Sequence, residues 1–409
     1  MREKPGVHKL IVGNKIWDSS RIKADGKMRM ELTDLVRFKG HWYCGFREGF
    51  IHHTHWSGRG RIIRSADGRK WDSVFLKEWD SADVREVKLS VTSEGVLMAN
   101  TSIGFVSKEP REGGGSFAPS IYDRPIPGGG KYGKYYQLDN PGTPENDIEK
   151  DVARQSVTWL STDGLNWSSA YACPSGVNNW RWAVTWHNGM GYSVGYGGKD
   201  QKGVLYRTRD GKSWRVLRAN LFPGGGNEAS LAFGADNTAY CILRDARKRK
   251  LPDSMQNAVR KDDGHQTSEG NLSKALLGGS VPMFGIGKAP CYQDWEWKDL
   301  EVDWEGEGNF KSVDEVLRAP FGGPQLLRLQ DGRFVAVGRN LGPGRDDGHI
   351  TLFWFDPVKS RLTMFAEMAG ATYGAAVEHD GKLYVSYAGQ DKPGYLGVFL
   401  AKIKIPGST

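Results

Sequence analysis

SADGRKW at Ser65–Trp71 recurs as STDGLNW at Ser161–Trp167 and as TRDGKSW at Thr208–Trp214. Each copy opens on a hydroxyl residue, sets Asp two places later, Gly next, and Trp three beyond the Gly. Asp-Gly between apolar runs signals a hairpin, because Asp bonds its own backbone and Gly takes a positive φ. Polar hairpin motifs recurring between β-rich runs indicate a repeat architecture. Asp163 and Asp210 lie 47 residues apart and Asp67 and Asp163 lie 96 apart, close to one repeat and then two. Units of about 40–50 residues match four-stranded propeller blades.

A closed ring of blades makes one domain at this length, residues 1–409. The 54 Gly, 15 Trp and 15 Tyr suit short strands, tight turns and aromatics packed between blades. No apolar run reaches about 18 residues, so no membrane span is expected. The start, MREKPGVHKL, lacks the apolar core of a signal peptide, and a soluble protein is expected. Cys44, Cys173, Cys241 and Cys291 are far apart in apolar contexts and read as buried thiols rather than disulfides or metal ligands. The net charge of +8 favours an acidic partner. Nucleic acid is not expected, because the basic residues are dispersed and no recognition motif appears.

Outward from the motifs, a first blade runs from about Leu32 to Trp79. A second begins at VREVKLSV (Val84–Val91) and continues through a Gly/Pro-rich stretch, Glu112 to Gly142, read as a surface loop. SVTWLSTDGLNW then reads as a third, RWAVTWH to the third motif as a fourth, and NEASLAF with AYCILRD as a fifth. That fifth unit is broken by a basic insertion at about residues 246–273, read as a solvated excursion. GGPQLLRL to RLTMFAE follows, and the C-terminal strands pair with the N-terminal KLIVGNKIW to close the ring. Moving the boundaries by one strand reduces the count, so the expectation is an all-β, six-bladed β-propeller, with seven blades the alternative.

Arg47 (YCGFREG), Arg244 (YCILRD) and Arg339 (FVAVGRN) each follow an alternating apolar run at the end of a second strand. Three such residues at matching registers can converge on one anion, and the rigid guanidinium fork suits a carboxylate. Glu228 opens the unit of Arg244, and Tyr373 opens the strands after Arg339.

The repeated hairpins resemble the Asp boxes of the sialidase superfamily. FREG at Phe46–Gly49 is similar to the sialidase Phe/Tyr-Arg-Ile-Pro motif that carries the first arginine of a carboxylate-binding triad. NEASLAF…ILRD resembles the segment with the sialidase Glu and second Arg, and GRN followed by GATYGAA resembles that with the third Arg and the nucleophilic Tyr. The likeness spans nearly the whole chain and is nearest to bacterial BNR-type proteins. It implies a retaining exo-glycosidase that releases a terminal sialic or related nonulosonic acid from an acidic glycan, without a cofactor. Tyr373 would be the nucleophile, Glu228 its base, and Arg47, Arg244 and Arg339 the substrate-binding arms. A neutral Tyr suits an anomeric carbon bearing a carboxylate, which would repel an Asp or Glu nucleophile; such enzymes depart from the two-carboxylate scheme.

One part departs from the pattern. Sialidases carry an Asp acid on a loop after the first Arg, whereas here FIHHTHWSGRGR has His52, His53 and His55. His52 is one candidate acid and Glu86 in VREVKLSV the other. A propeller lyase or unusual glycosidase acting on uronic acids with His, Tyr and Arg is therefore an alternative, and a non-catalytic carbohydrate-binding propeller a third. The three histidines are too closely set to hold a metal without a distant fourth ligand.

Overall fold

Six antiparallel sheets are strung along the chain, and strands that bury both faces account for its apolar runs. The structure, a computed structural model, describes residues 9–21, 28–50, 52, 57–79, 82–105, 154–197, 202–223, 226–245, 283–303, 322–340, 349–392 and 395–407. Blade one comprises Arg29–Phe38, His41–Gly49, Arg59–Ser65 and Asp72–Lys77, from the axis outward. Blade two has an inner strand in two pieces, Ala82–Val84 and Lys88–Val91, followed by Leu97–Phe105, Arg154–Ser161 and Tyr171–Val177. Blade three spans Asn179–Ala219 and blade four Gly226–Asp299. Blade five runs from Gly322 to Ala369, with Lys9–Leu10 and Glu301–Asp303 both parallel to its outer strand. Blade six comprises Ala371–His379, Lys382–Lys392, Tyr395–Lys404 and the N-terminal Asn14–Trp17.

The inner strands touch in cyclic order, blade one to two and so on round to blade six and back to one, so the ring is closed. Asn14 pairs antiparallel with Leu400, which ties the first blade-six strand in sequence to the last. Apolar side chains fill the spaces between neighbours: Tyr43, Ile62 and Phe75 of blade one meet Leu97, Val157 and Trp159 of blade two. Ala232, Ile242 and Phe284 of blade four meet Leu326, Ala336 and Phe353 of blade five.

There are six blades, not seven. SVTWLSTDGLNW, expected to begin a third blade, is the third strand and hairpin of blade two, because Arg154–Ser161 pairs with Leu97–Phe105. The spacing of 96 thus joins adjacent blades, lengthened by residues 106–153 between two strands of blade two. The Gly/Pro-rich stretch, the basic insertion, His53 and His55 lie outside the described residues. Of KLIVGNKIW, only Asn14–Trp17 closes blade six, while Lys9–Leu10 joins blade five. All four cysteines are free, but Cys291 is exposed, in contrast to the burial expected of it. No helix among the described residues is long and apolar enough to cross a membrane.

The three repeated hairpins join the third and fourth strands of blades one to three. In each, the Asp carboxylate accepts two backbone N–H bonds, as Asp67 does from Arg69 and Lys70 at 2.8 and 3.0 Å. The leading hydroxyl accepts from the Gly N–H, as Ser161 does from Gly164 at 2.8 Å. Gly164 has φ 76°, and an added Cβ would come within 2.0 Å of the Tyr43 hydroxyl in blade one. Gly211 likewise presses on Met98 of blade two, and its carbonyl accepts from Thr158 Oγ1 at 2.6 Å. The hairpins of blades two and three therefore lock each blade to the preceding one, and a side chain in place of Gly164 or Gly211 would wedge them apart.

Trp71 and Trp214 are buried beneath these turns, whereas Trp167 is half-buried. Trp71→Ala or Trp214→Ala is expected to cost about 3–5 kcal/mol of unfolding free energy, and Trp167→Ala less. Urea titration checks the order, and equal losses at all three positions would contradict it.

Candidate active site

Side chains in a strand alternate between its two faces, so an unbroken inner strand would aim everything into the blade interfaces and nothing along the axis. Here the inner strands break near their starts. Pairing slips between Glu31 and Asp34, Arg181 and Val184, Asn227 and Ala229, Gly322 and Gln325, and Thr372 and Gly374. In blade two the inner strand is interrupted at Arg85–Val87. Leu32, Glu228, Gly323 and Tyr373 sit in these bulges with φ of 60°, 45°, 59° and 46°. Non-glycine residues tolerate such angles only where their surroundings hold them, and such bulges collect at functional sites. Thr33 Oγ1 donates to the Tyr373 carbonyl at 2.9 Å and so braces one of them from the adjacent blade.

Glu228 and Tyr373 meet across the ring. The Tyr373 hydroxyl donates to Glu228 Oε1 at 3.0 Å. Glu228 Oε2 accepts from Arg244 Nη1 at 3.1 Å and from the Gly323 N–H at 2.7 Å. Burial pushes the Glu228 carboxyl up, but the charges of Arg244 and Arg339 and the hydrogen bonds from Gly323 and Tyr373 outweigh it, so the group is held below the usual carboxylate range. Tyr373 is pushed up to about 12 by burial and by the Glu228 charge, against the pull of Arg339 and Arg244. The pair therefore rests as carboxylate and neutral phenol. The Arg339 guanidinium lies 4.6 Å from the centre of the Tyr373 ring, and its buried Nε has no hydrogen-bond partner among the described residues.

Arg47 is placed differently from its two expected companions. It is wholly buried and grips Asp83 bidentately, Nε to Oδ1 at 2.8 Å and Nη2 to Oδ2 at 2.9 Å, with Glu31 4.0 Å from Nη1. Gly49 and Gly58 make room for this pair: a Cβ would approach Arg47 Nη1 to 2.7 Å at Gly49, and Asp83 Oδ1 to 1.8 Å at Gly58.

His52 Nδ1 is 2.9 Å from Glu31 Oε2, and its ring stacks 6.0 Å from that of Tyr373. Burial raises the Glu31 pKa, but His52, Arg29 and Arg47 bring it down to about 2. Arg85 Nη1 donates to the His52 carbonyl at 2.8 Å. Glu86, also in the blade-two interruption, is fully buried, accepts a hydrogen bond from the Trp180 indole, and leaves Oε2 without a partner among the described residues. Burial raises its pKa to about 7, against the pull of Arg85 and Lys88. Tyr196 stacks on Trp180, and burial, with the charges of Glu228, Glu86 and Tyr373, pushes its phenol pKa well up. Among the described residues no cluster of His, Cys, Asp and Glu suits a metal ion.

Sequence reading missed Glu31, Asp83, Arg85, Arg154, Trp180, Tyr196 and Gly323. Only the paired glycines at the start of GGPQLLRL carried a visible signal, since Gly-Gly opening a strand marks close approach. A Cβ at Gly323 would sit 2.4 Å from the Tyr373 ring.

The chain shares its six-bladed fold with proteins of distant sequence. It is similar to a protein of unknown function from Dyadobacter fermentans (TM-score 0.60, 13% identity, covering 97% of this chain and 98% of that one). It is also similar to an alpha-L-arabinanase of Penicillium chrysogenum (0.55, 12%, 98% and 100%). A sialidase from Trypanosoma rangeli overlays with a TM-score of 0.59 at 10% identity, over 97% of this chain and 58% of that one. No protein-family model and no curated protein matches the sequence. At these identities the likeness establishes the fold, and the chemistry must be argued from the site.

Two outcomes follow from this geometry. Gly323→Ala is expected to displace Tyr373 and to cost about 1–3 kcal/mol in strain alone, read by thermal unfolding. Glu86 has a folded-state pKa near 7, above its ordinary 4.5. It favours the folded state while protonated, so its contribution is fullest below pH 4.5 and is lost as the pH rises through 7. Glu86→Gln is expected to remove that part of the decline in Tm between pH 5 and 8; an unchanged Tm profile would contradict it.

Proposed function

We propose that this protein is a retaining exo-glycosidase of sialidase type, acting on a terminal sugar whose anomeric carbon carries a carboxylate. The 3.0 Å hydrogen bond from the Tyr373 phenol to the ionised Glu228 carries the reading. A phenol is a poor nucleophile at its ordinary pKa of about 10, and a buried one pushed higher needs an adjacent base.

Arg244 and Arg339 hold the substrate carboxylate beside Tyr373. In the first step the Tyr373 oxygen bonds to the anomeric carbon while Glu228 takes its proton. The bond to the leaving oxygen breaks, and that oxygen receives a proton from His52, which Glu31 orients. His52 is preferred over Glu86 because its side chain is 34% exposed at the site while Glu86 is fully buried. In the second step water attacks the same carbon and loses its proton to His52, and Tyr373 leaves with the proton returned by Glu228. Arg244 and Arg339 stabilise the oxocarbenium-like charge distribution through their fixed hold on the carboxylate.

The alternative is a uronate lyase in which Tyr373 and His52 handle a ring proton. It gives the Glu228 contact no role, and for that reason ranks second. A 3-fluoro-sialyl fluoride is expected to label Tyr373 covalently, with the adduct found by mass spectrometry of the digest. Glu228→Gln is expected to slow labelling by about a hundredfold or more. An unsaturated product from a uronic-acid glycan, with no adduct, would replace this reading by the lyase. Binding without turnover or adduct would leave a carbohydrate-binding propeller.

A further inference from the structure

We infer that the outer edge of blade three and the groove beside it bind an acidic polysaccharide chain, at the end of the propeller away from the candidate active site. The inference goes beyond the functional reading above and stands on different residues.

Between Val204 and Ala219 the chain carries Arg207, Arg209, Lys212, Arg215 and Arg218 against Asp210 alone. Asp210 is occupied inside its own hairpin, where Oδ1 accepts the backbone N–H groups of Lys212 and Ser213 at 2.9 and 3.0 Å. None of the five cations forms an ion pair among the described residues. Arg209, Arg215 and Arg218 are exposed. Arg215 opens the outermost strand of its blade, Arg215–Ala219, and is the direct cross-strand partner of Arg207. Like charges so placed repel each other, and an anion lying along this edge would relieve them.

The hairpins of blades two and three, with the turn after Lys88–Val91, border a groove of about 460 Å³. That volume lies within the range of roughly 300–1,000 Å³ for small-molecule sites. Trp167 and Tyr171 line it from blade two, Arg209 and Lys212 from blade three, and Glu94 from the turn. Both rings are half-buried. The Phe75 ring meets Trp167 edge-on at 5.0 Å, and the Lys212 ammonium lies 5.0 Å from the centre of the Tyr171 ring. The groove thus offers two aromatic surfaces held in place, with cations and a carboxylate around them.

That set suits a sugar polymer with separated carboxylates. The C–H face of a pyranose lies against an aromatic ring as other apolar surfaces do. Its carboxylate takes the guanidinium and ammonium groups, and its hydroxyls donate to Glu94. A nucleic acid strand carries a phosphate every ~3.4 Å, and so dense a row of charge would be repelled by Glu94 and Asp210. A neutral glycan would leave the five cations unanswered. Such a surface anchors the protein on a polymer independently of turnover.

The test uses the full chain with polysialic acid, polygalacturonate, dextran and single-stranded oligothymidylate, Kd being read by biolayer interferometry at two salt concentrations. Both acidic polysaccharides are expected to bind, more weakly at the higher salt, and dextran is not. The pair Arg209→Gln with Lys212→Gln, the pair Arg215→Gln with Arg218→Gln, and Tyr171→Ala are each expected to weaken binding about tenfold or more. Tm is followed throughout, with Tyr171→Leu as a second variant should the alanine disturb folding. Labelling of Tyr373 by the 3-fluoro-sialyl fluoride is expected to be unchanged in every variant. An unchanged Kd in either charge pair, or failure of both acidic polysaccharides to bind the wild-type protein, overturns the inference. Labelling at Tyr373, and with it the functional reading, would still stand. Binding that is indifferent to the loss of Tyr171 also overturns it. Oligothymidylate bound as tightly as the polysaccharides, and lost in the same variants, overturns it in favour of nucleic acid. Polymer binding that the variants lose, in a protein that shows no labelling, supports the inference and removes the functional reading.

Discussion

A propeller buries both faces of its strands between neighbouring blades, so its axis receives side chains only where strand alternation is broken. Here part of the candidate site stands on such breaks, while Arg244 and Arg339 come from the ends of second strands. Glu228, Gly323 and Tyr373 occupy left-handed positions in bulges of three consecutive blades, and Arg85 and Glu86 occupy the gap in a fourth. The backbone strain is carried by the closed ring around it, whose interlocked apolar layers leave each inner strand no room to relax.

Electrostatics then divides the site into two walls. On blades four to six, Glu228 is the hub: one carboxylate accepts from a phenol, a guanidinium and a backbone N–H, and these donors keep it ionised despite burial. On blades one and two, Asp83 accepts from Arg47 and Arg85, Arg85 donates to the His52 carbonyl, and Glu31 stands beside both His52 and Arg47. A ligand lying between the walls would meet the Tyr373 phenol with Glu228 on one side and His52 with Glu31 on the other. General acid–base work at neutral pH is served by groups whose different environments push their pKa values apart.

The hairpins that reveal the repeat are remote from this chemistry. They join third to fourth strands, at the end of the ring away from the inner-strand starts, and their contacts go to the preceding blade. They tie blades one to three to their preceding neighbours.

The repeat, the all-β class and the ring closure by the N-terminal strand were legible in the sequence, because each follows from local turn chemistry or from position within a repeating unit, whereas the meeting of Glu228 with Tyr373 was implied by the resemblance to sialidases. Blade boundaries were less so: residues 106–153 separate two strands of one blade, and spacing alone could not show that Arg154–Ser161 pairs back to Leu97–Phe105. The role of Arg47 was hidden for a different reason. Its position at a strand end is the same as that of Arg244 and Arg339, but its partner, Asp83, comes from the neighbouring blade 36 residues on. Whether an arginine is open to a ligand depends on which carboxylate reaches it first. That competition is decided by distances between blades, which only the closed ring sets.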